Sequence, residues 1–196
     1  MFNGECGLKS KEASDLADGF LKPVFYRPDG TAKEEIVYFP SLMSQEKKVK
    51  SKITLDRFGN DYVNHTVYRE DGTTEVSGQR IANWHYATTY YFADGQSIER
   101  QVVYSASKEL KAETVYYENG NPRKNVERTG MDLATTEYRQ DGTKMHRIVD
   151  SQYGVKSASY FGEDGETKLF GFQNETYNIC VTFYPKGENV SQAQIT

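Results

Sequence analysis

One short pattern recurs along this chain with a nearly fixed period: an aromatic residue, two variable residues, then Asp or Asn followed by Gly. Its glycines are Gly30, Gly72, Gly95, Gly120, Gly142 and Gly165, and the last five are 23, 25, 22 and 23 residues apart. Before each glycine stands Asp29, Asp71, Asp94, Asn119, Asp141 or Asp164. Asp-Gly and Asn-Gly are strong hairpin signals, because glycine accepts a positive φ without steric cost. The run Pro28-Asp29-Gly30 sharpens the expectation. Proline holds φ near −65°, which suits a type I turn closed by a glycine bulge.

Residues before the turns follow strand chemistry. Four before each glycine stand Tyr26, Tyr68, Tyr91, Tyr116, Tyr138 and Phe161; six before are Val24, Thr66, Thr89, Thr114, Thr136 and Ser159. Side chains two apart on a strand share a face, so the two columns are expected on one side of a sheet. A unit of this length holds two strands, which requires a second turn in each. Asn83, Ser107, Gly130, Gly154 and Asn174 are the candidates. The expected architecture is all-β: an extended, twisted antiparallel meander of hairpins of about 22 residues, with a closed barrel or a sandwich as the alternative. Residues 31–64 fit least well, since "DRFGND" adds a turn signal there and leaves the strand parity open.

The ends read differently. In residues 1–22, "SKEASDLADG" is expected to form a short helix with Ser10 as cap and Gly19 as stop, covering the first edge of the sheet. Residues 23–184 form the hairpin-repeat domain, and residues 185–196 read as a polar, mobile tail.

Composition narrows the function classes. Hydrophobic residues make up 37% of 196, yet there are 15 Tyr and 10 Phe. This is too aromatic for a disordered chain and too polar for a thick core, and it suits a wide sheet exposed on both faces. A net charge of −4 argues against a general nucleic-acid binder. The one basic cluster, "KKVKSK", puts Lys48, Lys50 and Lys52 on one strand face and reads as a solvated face or as an anion site. No run approaches the ~20 apolar residues of a membrane span, and the N-terminus lacks a signal peptide's apolar core. The chain reads as cytoplasmic, or as exported or lipid-anchored if a leader precedes it.

Reactive constellations are sparse. His65, His85 and His146 are scattered without metal-ligand spacing, and Cys6 and Cys180 have neither metal nor redox spacing. Turn formation accounts for the recurring aspartates. No nucleophile motif, phosphate loop or paired-carboxylate signature stands out, so neither an enzyme nor a cofactor or metal is expected. Binding candidates remain. Tyr68, Tyr91, Tyr116, Tyr138 and Phe161 make an aromatic stripe suited to a protein segment or a glycan, and Trp84 with His85, in "NWHYATT", is the most unusual local composition.

At "YYENGNPRKN", residues 116–125, the chain resembles the bacterial MORN-variant family of hairpin repeats, which repeats a Tyr-Tyr-x-Asn-Gly block at about this period. The similarity spans roughly residues 60–172, with weaker agreement near 24–38. The paired glycines and recurring tryptophan of the ordinary MORN pattern are missing, Trp84 being the sole tryptophan. Tyrosine-Asp repeats of large toxin shells are a second likeness. The first resemblance implies a meandering hairpin array and a role as an antitoxin or immunity protein against a secreted toxin. Together with the residues, it leads to the expectation of a non-catalytic protein-binding module with an immunity-like or assembly role, able to oligomerise through its sheet edges. A barrel for a small molecule or glycan is the alternative.

Overall fold

All six repeat glycines adopt the left-handed backbone that their Asp/Asn-Gly context requires: φ is 86° at Gly30, 89° at Gly72, 68° at Gly95, 84° at Gly120, 91° at Gly142 and 70° at Gly165. In a computed structural model, which describes residues 10–11, 22–40, 47–175, 178–183 and 191–195, these turns join antiparallel strands that pair in chain order. The chain divides into two compact units, residues 1–97 and 98–196.

Unit 1 holds β1 (Ser10–Lys11), β2 (Val24–Tyr26), β3 (Ala32–Tyr38), β4 (Val49–Leu55), β5 (Tyr62–Tyr68), β6 (Thr74–Arg80) and β7 (Tyr86–Tyr91). Unit 2 holds β8 (Ile98–Tyr104), β9 (Leu110–Tyr116), β10 (Pro122–Thr129), β11 (Asp132–Tyr138), β12 (Lys144–Ser151), β13 (Gly154–Phe161), β14 (Lys168–Glu175), β15 (Asn178–Phe183) and β16 (Ser191–Ile195). Within each unit every strand pairs antiparallel with the next, and among the described residues the last does not return to the first, so neither unit's described strands close into a barrel.

Three expectations about the ends and turns of the meander need correction. Ser10 and Lys11, placed at the start of a helix, form β1 and pair with Phe25 and Val24. The rest of that stretch lies outside the described residues. The expected tail is not all irregular, because Ser191–Ile195 form β16 against β15. Asn174, a candidate turn, sits in β14 opposite Ile179. The other candidates fall at turns: Asn83 has φ 60°, Gly130 has φ 62° and Gly154 has φ 114°, while Ser107 precedes Lys108, whose φ is 64°.

The Asp-Gly turns come in two sizes. In the short form Arg27, Arg69, Tyr117 and Arg139 donate their amides to Thr31, Thr73, Asn121 and Thr143, four residues on. The long form closes one residue later, from Asp56 to Asp61, Phe92 to Ser97 and Gly162 to Thr167. "DRFGND" is therefore a further copy of the turn, with Gly59 at φ 73°. That extra hairpin settles the parity of residues 31–64. Phe25 faces Glu34, then Thr54, then Asn64, which shares a face with Thr66 and Tyr68. Tyr26 consequently lies on the face opposite Tyr68, although both stand four residues before a turn glycine.

Short and long turns are clasped together by arginine. Arg69 donates to the Thr74 carbonyl at 2.7 Å and to the Tyr91 carbonyl at 2.7 Å. Arg139 repeats this with Lys144 at 2.6 Å and Phe161 at 3.0 Å, and Arg27 does so with Ala32 and Leu55. Each guanidinium thus ties its own hairpin to a strand-end carbonyl of the neighbouring one.

After the turns the outgoing strands carry one extra residue: Lys33, Val63, Glu75, Arg123, Met145 and Leu169 are left unpaired in the ladder. Bulges re-aim side chains, which explains why Met145 and Leu169 lie exposed in otherwise regular strands. The core is thin. Val102, Val126 and Ala158 are the buried hydrophobic residues among those described, at 1%, 3% and 3% exposure. Successive pairings place all three on the unit 2 face that lies opposite Thr114, Thr136 and Ser159.

Candidate functional site

The aromatic stripe can be followed within each unit. Thr66 pairs with Ser77 and Ser77 with Thr89, so Tyr68 and Tyr91 share one face of unit 1. Thr114, Asn125, Thr136, Arg147 and Ser159 form a continuous row in unit 2, so Tyr116, Tyr138 and Phe161 share a face there. All five rings are half-buried. Two lean back over the preceding strand: the Tyr91 hydroxyl lies 3.0 Å from Ser77 Oγ, and the Tyr116 hydroxyl donates to Gln101 Oε1 at 2.8 Å. These contacts fix register and consume the polar tips of the rings.

A more exposed cluster forms at the end of unit 1 that carries the 56–61 and 81–85 turns. Trp84 and Phe58 are each 60% exposed. The Arg80 guanidinium carbon lies 4.7 Å from the Trp84 ring centre, and that of Arg57 lies 4.5 Å from the Phe58 ring. Arg80 is braced by Asp61 at 3.3 Å and by Asp56 at 3.9 Å. The Tyr86 hydroxyl donates to Asp61 Oδ2 at 2.6 Å, and the Tyr86 and Tyr62 ring centres are 4.8 Å apart. His65 lies edge-on to Tyr62 at 6.4 Å. Register explains the gathering: Arg80 faces Tyr86, Leu55 faces Tyr62, and the two turns lie at the same end of the meander.

Electrostatics follow the packing. Burial holds the His65 imidazole below its usual pKa and so keeps it neutral. The hydrogen bond to Asp61 pushes the Tyr86 phenol up, and burial does the same for Tyr62. Burial alone would raise the Asp56 carboxyl, but the amides of Asn60, Phe58 and Asp61, together with Arg80, outweigh it and lower the pKa. Arg80 is therefore held between the Asp56 and Asp61 carboxylates.

The backbone beneath Trp84 is unusual. Ala82 accepts from the His85 amide, and Ile81 donates to the His85 carbonyl at 2.8 Å, closing a tight hairpin. Its central residues, Asn83 and Trp84, both have φ 60°. Such a turn demands positive φ at both positions, which is why Asn-Gly is the preferred pair. Here tryptophan occupies the glycine position. A bulky residue in this region is strained by roughly 1–2 kcal/mol.

Trp84 and His85 were legible as an odd local composition, and the structure separates them. Trp84 projects outward, whereas His85 is half-buried and uses its backbone to close the turn. Phe58, Asp61, Tyr62, Arg80 and Tyr86 were missed. Arg80 and Tyr86 reach Asp61 across 19 and 25 residues, and no local pattern signals such a contact. His146 stands in unit 2, 3.7 Å from Glu137. Among the described residues no three His, Cys, Asp or Glu side chains gather as a metal set, and no helix is long and apolar enough to cross a membrane.

No protein-family model matches the chain, and no curated protein does. Among solved structures, it is similar to one described as a porin-like protein from Bacteroides uniformis, at 8% identity and a TM-score of 0.24, covering 94% of this chain and 92% of the other. So loose a superposition says nothing of function.

Proposed function

We propose that the chain is a non-catalytic protein-binding module whose principal contact surface is the Trp84 ledge of unit 1. The observation that carries this is a tryptophan held exposed at a strained position that glycine would occupy more comfortably. Strain of this kind persists where it serves something other than folding. Exposed Trp flanked by Tyr and Arg is also the composition that dominates protein interfaces, since large rings contribute contact area at little entropic cost. Arg80, braced by Asp61, lies over the ring, and the tilted Tyr62–Tyr86 pair packs beside that ion pair, so little ordering is needed on binding. The hairpin-repeat resemblance suggests the kind of partner: a secreted toxin, with this chain as its immunity or antitoxin protein, or a neighbour in an assembly.

The test begins with crosslinking capture using the whole chain as bait in its own host, followed by titration of the purified partner. Trp84→Gly should weaken binding by at least about 30-fold, the factor matching a dominant interface residue. The double variant Tyr91→Ser/Tyr116→Ser examines the half-buried stripe. It should lose stability, with binding falling only in step. Full binding by a folded Trp84→Gly chain would remove the ledge as the interface.

A further inference from the structure

The Tyr68 face of unit 1 carries a cleft of about 490 Å³ between β3, β4 and β5. Its floor is Ile36, Val49 and Tyr68, and its rim is Lys47, Lys48 and Lys52. Register produces the convergence. Ile36 faces Lys52, which faces Thr66, so Ile36 and Lys52 share the face of Tyr68. Tyr38 faces Val49, and the pairing then slips so that Val37 faces Ser51. This bulge at Lys50 lets Val49 and Lys52, three residues apart, reach the same side, and it removes Lys50 from the set expected from simple alternation.

Each ammonium group has a neighbour on the protein. Lys48 Nζ donates to the Glu70 carbonyl at 2.9 Å, Lys47 Nζ lies 6.0 Å from the centre of the Tyr38 ring, and Lys52 pairs with Glu34 at 2.6 Å. Asp71 also lines the cleft, but its Oδ1 is engaged by the amide and hydroxyl of Thr73 at 2.8 and 2.7 Å. Three cations over an apolar floor, against one paired and one engaged carboxylate, leave a local positive excess in a chain of net charge −4.

We propose that this cleft binds a small amphiphilic acid, a single anionic head on a short apolar chain or ring, as a site independent of the Trp84 ledge. The apolar body rests on Ile36, Val49 and Tyr68, and the head lies between Lys47 and Lys48, which neighbour a ring face and a backbone carbonyl. The volume falls within the ~300–1,000 Å³ of small-molecule sites. Neutral lipids and bare inorganic anions each satisfy only half of the lining.

The test uses the full chain and the fluorescent probe anilinonaphthalene sulfonate, with octanoate and octanol as competitors. Octanoate should displace the probe while octanol at equal concentration does not, and added salt should weaken binding. Lys47→Met/Lys48→Met, at solvent-facing positions, should weaken the probe by at least about tenfold, since a charge-assisted contact is removed while apolar contact is retained. Trp84→Gly should leave it unchanged, which keeps failure here distinct from failure of the ledge. Absence of probe binding, equal displacement by octanol, an unaffected lysine double variant or loss in Trp84→Gly would each overturn the proposal.

Discussion

Adding one methyl group at each turn glycine should separate these positions into two classes. Around Gly72 no atom lies within 4 Å of where a Cβ would be built, and the same holds at Gly120. At Gly95 that Cβ would stand 2.7 Å from Thr73 Cβ and 2.9 Å from Thr74 N; at Gly165 it would stand 2.7 Å from Lys144 N and 2.9 Å from Thr143 Cβ. The difference arises because the long turn lies flat against the short turn beside it, where Arg69 or Arg139 clasps the pair. Gly72→Ala and Gly120→Ala therefore face only the left-handed backbone, about 1–2 kcal/mol. Gly95→Ala and Gly165→Ala add an overlap with backbone that cannot swing away, about 1–3 kcal/mol more by analogy with overpacked cores. Urea unfolding measures the effect, comparing Gly95 with Gly72 in unit 1 and Gly165 with Gly120 in unit 2, with the slope required to stay constant. Equal losses within each pair would refute the stacked-turn reasoning.

The arginine clasp gives a second expectation. Arg139→Ala should cost about 1–3 kcal/mol, and Arg139→Lys should cost nearly as much, because one ammonium cannot span the carbonyls of Lys144 and Phe161; thermal melting that shows full rescue by lysine would contradict it. A third concerns acid. The Thr73 hydroxyl and amide hold the Asp71 carboxyl below its ordinary value of 3.8, and Asp29, Asp94 and Asp141 are lowered by equivalent turn contacts. A depressed folded-state pKa contributes stability that is complete above the ordinary value and lost as pH falls through the depressed one. Carboxyl titration by NMR should place all four below 3.8, and melting temperature should drop most steeply in that acid range. Titration at or above the ordinary value would remove these turns as a cause of acid unfolding.

How much was legible depended on range. Asp-Gly turns were readable because their chemistry is local: glycine's φ and the aspartate's bonds are settled within a few residues. The long turn at Gly59 is legible as a turn signal but not as a copy of the repeat, because Leu55 replaces the aromatic and Phe58 stands where Asp or Asn precedes the other glycines. Missing that copy left open the parity that puts Tyr26 on the wrong face for the column. A signal for the clasp was present, since "YRPDGT", "YREDGT" and "YRQDGT" share both the arginine and the threonine. Its partners, the carbonyls of Leu55, Tyr91 and Phe161, are 22 or 28 residues away and have no side-chain signature. The Trp84 ledge depends on the same kind of distance, because Asp61, Arg80 and Tyr86 meet only after three strands have paired.

Trp84 is retained at a cost to the fold, and its stability balance tests this without any partner. Trp84→Gly relieves about 1–2 kcal/mol of left-handed strain and loses about 0.5–1 kcal/mol of contact with Arg80. Trp84→Ala loses the same contact and keeps the strain. Equilibrium unfolding of the two variants beside the native chain should find the glycine variant about 1 kcal/mol more stable than the alanine variant, and within about 1 kcal/mol of the native chain or above it. A loss of about 3–5 kcal/mol in both variants, as for a tryptophan that holds a core together, would show that the ring is there for the fold.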